Sequence, residues 1–156
     1  MTGLEDLYRE IILDHYRNPR NRGELPSPPA QRVEGFNPLC GDEIVVYLDV
    51  EDGKVADVRI NGQGCSISQS SASMMSAAVK GKTVEEVRAL TRAFKAMMSI
   101  HEHRLDGSED EPVAPDPAVK LGDLEALQGV VKFPVRIKCA TLAWNTLQQA
   151  LDEAKV

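Results

Sequence analysis

Basic side chains are in deficit in this 156-residue chain: 18 Lys and Arg stand against 24 Asp and Glu, a formal net charge of −6. That balance argues against a broad phosphate-tracking surface and so against nucleic acid as a partner. Cysteine is scarce. Three thiols are too few for a disulfide framework and leave one over however they pair. Aromatics are few as well, three Phe, three Tyr and one Trp, so the core is read as mainly aliphatic. The longest aliphatic and aromatic run is Ile44-Val45-Val46-Tyr47-Leu48, far short of the ~20 residues that cross a bilayer, which excludes a membrane span. Met1-Thr2-Gly3-Leu4-Glu5-Asp6 is acidic and lacks the basic start and apolar stretch of a secretory signal. A cytoplasmic location is therefore expected, where thiols stay reduced and more often bind metal or react than form bridges. With 42% apolar and 27% charged residues, the composition fits one soluble globular domain over 1–156, long enough to bury a core without staples.

The hydrophobic pattern predicts an α+β domain. Leu4, Leu7, Tyr8, Ile11, Ile12 and His15 recur at offsets of three and four and predict an amphipathic helix that ends near Asn18, before Pro19. A Pro- and Gly-rich loop follows to Pro29, then a short extended piece around Gln31 to Gly35. Glu43 to Val50 and Lys54 to Asn61 read as strands of a hairpin, with Asp52-Gly53 supplying the turn. A glycine-rich turn, Gly62-Gln63-Gly64-Cys65, leads into a Ser- and Ala-rich helix for which Ser66 is the expected cap. After Gly81, Thr83-Val84-Glu85-Glu86 reads as a capping box opening the next helix. The stretch from Asp106 to Pro117 holds five acids, no base and three prolines; an exposed, mobile insertion is expected at about 104–120. Leu121, Leu124 and Leu127 suggest a short helix stopped by Gly129, and a final amphipathic helix is expected from Cys139 to Leu151.

The three cysteines share a setting. Cys40 precedes a strand in Asn37-Pro38-Leu39-Cys40-Gly41-Asp42, Cys65 lies between a strand and a helix behind two glycines, and Cys139 is read as opening the last helix. Side chains converge at element ends, and a helix N-terminus favours thiolate over thiol for the two cysteines expected there. A tetrahedral Zn²⁺ site needs four donors. Asp42, two residues beyond Cys40 and separated from it by Gly41, is the natural fourth, giving three sulfurs and one oxygen. Four anionic ligands on a dication leave about −2, which Arg136 and Lys138, flanking Cys139, would offset. A carboxylate exchanges more readily than a thiolate on a soft metal, so such a centre is built to open. The alternative is that the thiols are small buried hydrophobes, since the separations of 25 and 74 residues match no compact zinc finger.

Other candidates are weaker. The two histidines of His101-Glu102-His103 share a face only if extended, and beside the acidic stretch they read as solvated. His15 reads as a packing residue, and Met74, Met75, Met97 and Met98 as core filling. Ser70 and Ser73 lack the strained elbow of a hydrolase. Gly62-Gln63-Gly64 is too short for a phosphate loop.

Four segments in order contain every cysteine: Asp14-His15-Tyr16-Arg17-Asn18-Pro19-Arg20-Asn21, Asn37 to Asp42, Gly62-Gln63-Gly64-Cys65-Ser66-Ile67-Ser68, and Arg136-Ile137-Lys138-Cys139-Ala140-Thr141-Leu142. Together they resemble the iron–sulfur cluster assembly proteins related to IscU and the NifU N-terminal domain, most closely the SufU branch. The resemblance implies a small antiparallel sheet of about three strands packed by an N-terminal helix and several C-terminal helices. It implies that Cys40, Asp42, Cys65 and Cys139 bind zinc, with Cys40 as acceptor of persulfide sulfur from a pyridoxal-phosphate cysteine desulfurase of the SufS type. On that reading the chain is a sulfurtransferase-like carrier feeding the downstream Suf machinery rather than a self-standing enzyme. The first helix, with Tyr8 and Tyr16, is a docking surface in this picture.

Two departures separate the chain from the scaffold branch. Lys138 stands where IscU-like scaffolds carry a histidine before the third cysteine, and Lys132-Phe133-Pro134-Val135-Arg136 replaces their Leu-Pro-Pro-Val-Lys chaperone motif. The acidic, Pro-rich stretch matches an insertion of the SufU branch. The alternatives are a scaffold on which Cys40, Cys65 and Cys139 hold iron or a [2Fe–2S] cluster, and a structural zinc-binding interaction domain.

Overall fold

The amphipathic opening folds as helix α1 (Gly3–Arg17), and the Asn18 N–H still bonds the Asp14 carbonyl at 2.8 Å before the chain turns at Pro19. The computed structural model describes residues 3–26, 30–38, 41–105, 121–132 and 134–154. Strands β1 (Gln31–Asn37), β2 (Asp42–Glu51) and β3 (Lys54–Gln63) form an antiparallel sheet in the order β1-β2-β3. The β2–β3 turn uses Asp52 and Gly53 with φ of 52° and 75°, the paired left-handed geometry that a two-residue hairpin turn requires. Helices α2 (Ser66–Val79) and α3 (Val84–Leu105), a 3₁₀ helix (Gly122–Lys132) and helix α4 (Pro134–Glu153) complete the α+β arrangement expected.

Period-two burial sets the sheet's two faces. Val33, Ile44, Val46, Leu48, Val58 and Ile60 are buried against the helices, whereas Arg32, Glu34 and Phe36 on β1 are exposed. Helix α4 lies across β1 and β2, and α2 packs on α1, α4 and β3. Trp144 on α4 stacks on Phe94 of α3, ring centroids 4.9 Å apart. Met74, Met75 and Met98 are fully buried, and Met97 packs on the same core. The capping box at α3 forms as expected: Thr83 Oγ1 accepts from the Glu86 N–H and Glu86 Oε1 from the Thr83 N–H, both at 3.1 Å.

Two expectations need correction. The helix after Leu121 does not stop at Gly129 but continues to Lys132 as a 3₁₀ helix. Three residues per turn align Leu124, Leu127 and Val130 on one buried face, and that packing outweighs the intrinsic cost of glycine. The last helix begins at Pro134, so Cys139 lies in its second turn and not at its start. Helix α3 extends through Leu105, so Arg104 and Leu105 are helical; residues 106–120 of the expected insertion lie outside the described residues. The backbone from His101 to His103 is helical and not extended.

One close approach fixes α4 on the sheet. A Cβ on Gly35 would sit 2.1 Å from Thr146 Oγ1 and 3.3 Å from Leu142 Cδ1, so only glycine lets the helix rest on β1 at this height. Gly35→Val is expected to destabilise the protein by about 1–3 kcal/mol through overpacking, read as a lowered urea midpoint. Thr146→Ala in the same background should recover part of the loss, and an unchanged midpoint in Gly35→Val would contradict this packing.

Candidate metal centre

The end of the sheet where β1 hands over to β2 gathers three chemically active side chains. Asp42 is the first residue of β2, Cys65 sits at the junction of β3 and α2, and Cys139 comes down from α4. Pairing of Glu43 with Gln63 lays Gly64 and Cys65 alongside Asp42. One ligand atom from each of Asp42, Cys65 and Cys139 lies within 4.8 Å of the others. Asp42 is 1% exposed and Cys139 is fully buried, while Cys65 keeps partial contact with solvent. Cys40, the fourth residue of the expected set, lies outside the described residues.

Local geometry explains the placement of each side chain. Cys65, and not Ser66, caps α2: its backbone is extended (φ −72°, ψ 168°) and its Sγ accepts the Ser68 N–H at 3.5 Å, whereas Ser66 is already helical. The Cys65 N–H donates to Asp42 Oδ1 at 2.9 Å, and Cys65 Sγ lies 3.9 Å from Asp42 Oδ2. Gly64 makes this possible, because a Cβ there would lie 2.5 Å from Asp42 Oδ1 and 2.7 Å from Ser68 Oγ. Cys139 is too far into α4 to profit from the helix terminus. It is held instead by the packing of α4 on β1 and by the Ser71 hydroxyl, which donates to the carbonyl of neighbouring Ala140 at 2.6 Å.

Burial by itself would raise the Asp42 pKa, but the Cys65 backbone N–H and the side chains of Cys139, Ser68 and Cys65 outweigh it. The carboxyl is thus held below its ordinary value and is ionised at neutral pH. A carboxylate and two sulfur donors suit a borderline-soft dication. Zinc–sulfur bonds of ~2.3 Å imply ligand separations of about 3.8 Å around a tetrahedron, so three donors already within 4.8 Å need only small rotations to share one ion.

The supporting residues are placed differently from one another. Lys138 and Arg136 are exposed on α4 on the N-terminal side of Cys139. Tyr8 is partly buried, with its hydroxyl accepting from Gln128 Nε2 at 2.8 Å, whereas Tyr16 is 45% exposed. His15 is a packing residue as expected, 2% exposed, with ring nitrogens hydrogen-bonded to Ser73 Oγ at 2.8 Å and Asp123 Oδ2 at 2.9 Å. Ser73 is wholly buried, so this trio braces α1, α2 and the 3₁₀ helix rather than forming a hydrolase site. Sequence reasoning missed Asn37 and Ser68. Asn37 carried a signal: it continues the inward phase Val33, Gly35, Asn37 of β1, where a polar side chain is out of place without a partner.

The model of the NifU-like N-terminal domain matches residues 7–140. The chain belongs to this family. Among its relatives, a Bacillus subtilis protein named zinc-dependent sulfurtransferase SufU is 44% identical over 96% of this chain and 92% of its own. A Streptococcus pyogenes protein named iron–sulfur cluster assembly scaffold protein IscU is 40% identical over 99% of this chain and 88% of its own. A crystal structure from Fervidobacterium islandicum, described as a scaffold for iron–sulfur cluster assembly in the SUF system, superposes with a TM-score of 0.69 at 34% identity, covering 91% of this chain and 94% of that one. The NifU-like architecture and the SufU-like sequence thus coincide over nearly the whole chain. No helix among the described residues is long and apolar enough to cross a membrane.

Two outcomes follow from this geometry. Gly64→Ala should push Asp42 and Cys65 apart, weakening zinc binding in a chelator competition by at least tenfold while the sheet and helices persist by circular dichroism. Unchanged affinity would contradict the close approach. Because the folded-state pKa of Asp42 lies below its unfolded value of about 3.9, its ionisation stabilises the fold above that pH and the contribution is lost as pH falls through the folded value. In metal-free protein, Asp42→Asn should therefore flatten the acid limb of the stability curve below about pH 4; an unaltered limb would show that the hydrogen bonds to Asp42 do not favour its ionised form.

Proposed function

We propose that this chain is a zinc-dependent sulfur acceptor of iron–sulfur cluster assembly, taking persulfide sulfur from a SufS-type cysteine desulfurase and passing it to the Suf machinery. The reading rests on one observation above the others: Asp42, Cys65 and Cys139 converge at one end of the sheet, with Asp42 ionised and Cys65 only half-buried. Its relationship to a protein named zinc-dependent sulfurtransferase supports the same reading. Cys40, Asp42, Cys65 and Cys139 are the proposed ligands. Zinc, when bound, supplies a Lewis acid that keeps sulfur ligands as thiolates at neutral pH.

Cys40 is the proposed acceptor. Its thiolate attacks the outer sulfur of the donor persulfide, forming a new S–S bond on Cys40 as the donor's S–S bond breaks and its cysteine leaves as a thiolate. Cys40 is the ligand to be displaced, by a histidine that the docked desulfurase offers, and the carboxylate oxygen of Asp42 makes the set readier to exchange than one of four sulfurs. Cys139, fully buried, is the ligand suited to remain. A reducing cytoplasm keeps all three thiols available. Lys138 and Arg136 supply positive charge near the anionic set.

The sequence relationship to proteins named IscU scaffolds favours a second reading, assembly of a [2Fe–2S] cluster on the same ligands. Mass spectrometry after incubation with desulfurase and free cysteine tests the choice. A +32 Da adduct on Cys40 and faster desulfurase turnover, both lost in Cys40→Ala, are expected. No adduct, together with a stable cluster after anaerobic reconstitution that transfers to an apo-ferredoxin, would overturn relay in favour of the scaffold.

A further inference from the structure

One buried amide lies between two of the proposed ligands. Asn37, the last residue of β1, is 5% exposed; its Nδ2 is 3.5 Å from Asp42 Oδ2 and 3.6 Å from Cys139 Sγ. The backbone at this corner is held without that side chain, since Asn37 pairs with Asp42 in the ladder and its carbonyl accepts the Gly41 N–H at 2.9 Å. The position lies on the inward phase of β1, following Val33 and Gly35, where an aliphatic side chain would avoid the cost of burying an amide. The two carboxylate oxygens of Asp42 are also unequal. Oδ1 accepts the Cys65 N–H, whereas Oδ2 has the Asn37 amide at 3.5 Å and the Cys65 sulfur at 3.9 Å.

We infer that Asn37 is a positioning residue of the metal centre: its amide N–H groups orient Asp42 and donate to the Cys139 sulfur, setting both the affinity for metal and the electron density on that sulfur. The inference rests on the reading of Asp42 and Cys139 as ligands given above. Two anionic donors packed out of water repel each other, and a neutral donor group reaching both lowers that repulsion without adding a charge. A hydrogen bond to a ligand sulfur draws density from the metal–sulfur bond, and one to a ligand carboxylate fixes its orientation. An amide suits the task because it offers two N–H groups from one nitrogen.

Asn37→Leu keeps the bulk and removes the donor, and Asn37→Ser keeps a shorter hydroxyl donor. Zinc affinity by competition with a chromophoric chelator, and the ultraviolet thiolate-to-cobalt charge-transfer bands of Co²⁺-loaded protein, are the readouts. Asn37→Leu is expected to fold with an unfolding midpoint near that of the wild type, to bind zinc about 10–100-fold more weakly, and to shift the cobalt bands; Asn37→Ser should fall between the two. Should Asn37→Leu fail to fold, the same two readouts on Asn37→Ser decide. Wild-type affinity and unshifted bands in the folded variants would overturn the inference while leaving the ligand assignment intact. Absence of thiolate–cobalt bands in the wild type itself would instead overturn the ligand assignment and this inference with it.

Discussion

The hydrogen bond from the Cys65 N–H to Asp42 Oδ1, 2.9 Å long, is the interaction on which the rest of this structure turns. A carboxylate that is 1% exposed would ordinarily take up a proton, because an isolated buried charge costs several kcal/mol or more. Here a backbone donor at the mouth of α2 meets it, and the donor cannot wander, since it belongs to the residue that caps the helix. The bond couples the first residue of β2 to the end of β3 and the start of α2, so the carboxylate and the Cys65 sulfur are fixed relative to each other by main chain. Two glycines make room. Gly62, at φ +124°, passes so near the Glu43 carbonyl that a Cβ would lie 2.1 Å from its oxygen, and Gly64 lies directly against Asp42.

The remaining architecture delivers the second sulfur to this fixed pair. Helix α4 brings Cys139 over the sheet edge, seated by Gly35 from below and by the Ser71 hydroxyl from the side. Helix α2 is the common brace. Its buried serines bond outward in sequence, Ser68 to the Cys65 carbonyl, Ser71 to α4, Ser73 to His15 of α1 and to the Arg20 N–H, and Ser76 to the Arg20 carbonyl. Small hydroxyl side chains let neighbouring helices approach closely while satisfying buried polar groups. The asymmetry of the centre follows: Cys139 is locked in the core, Asp42 is held by hydrogen bonds, and Cys65 is half-buried.

Much of this was legible in the sequence wherever a local rule decides structure. The Asp52-Gly53 turn, the Thr83–Glu86 capping box and the hairpin of β2 and β3 are short-range matters, and they appear as read. What misled were places where packing overrides the local rule. Gly129 did not stop its helix, because Leu124, Leu127 and Val130 were buried together at spacing three. Cys139 did not open α4, because Pro134 supplies the start five residues earlier. Cys65 took the cap expected of Ser66, a role in which sulfur is an unusual acceptor. Asp42, Cys65 and Cys139 were each legible as candidates, yet their convergence depends on strand register and on the Gly35 contact, which no single segment encodes. Asn37 is legible only in part: its phase with Val33 and Gly35 is in the sequence, but the extended piece is expected only to Gly35, two residues short of the strand's end.

The central claim is that one zinc ion sits on three sulfurs and one carboxylate oxygen at this sheet end. X-ray absorption at the zinc edge, on protein purified without added metal, tests it directly. The account predicts one zinc per chain with three sulfur neighbours near 2.3 Å and one oxygen near 2.0 Å, and loss of the oxygen shell in Asp42→Cys. Four sulfurs or an imidazole shell in the wild type, or no zinc at all, would contradict it.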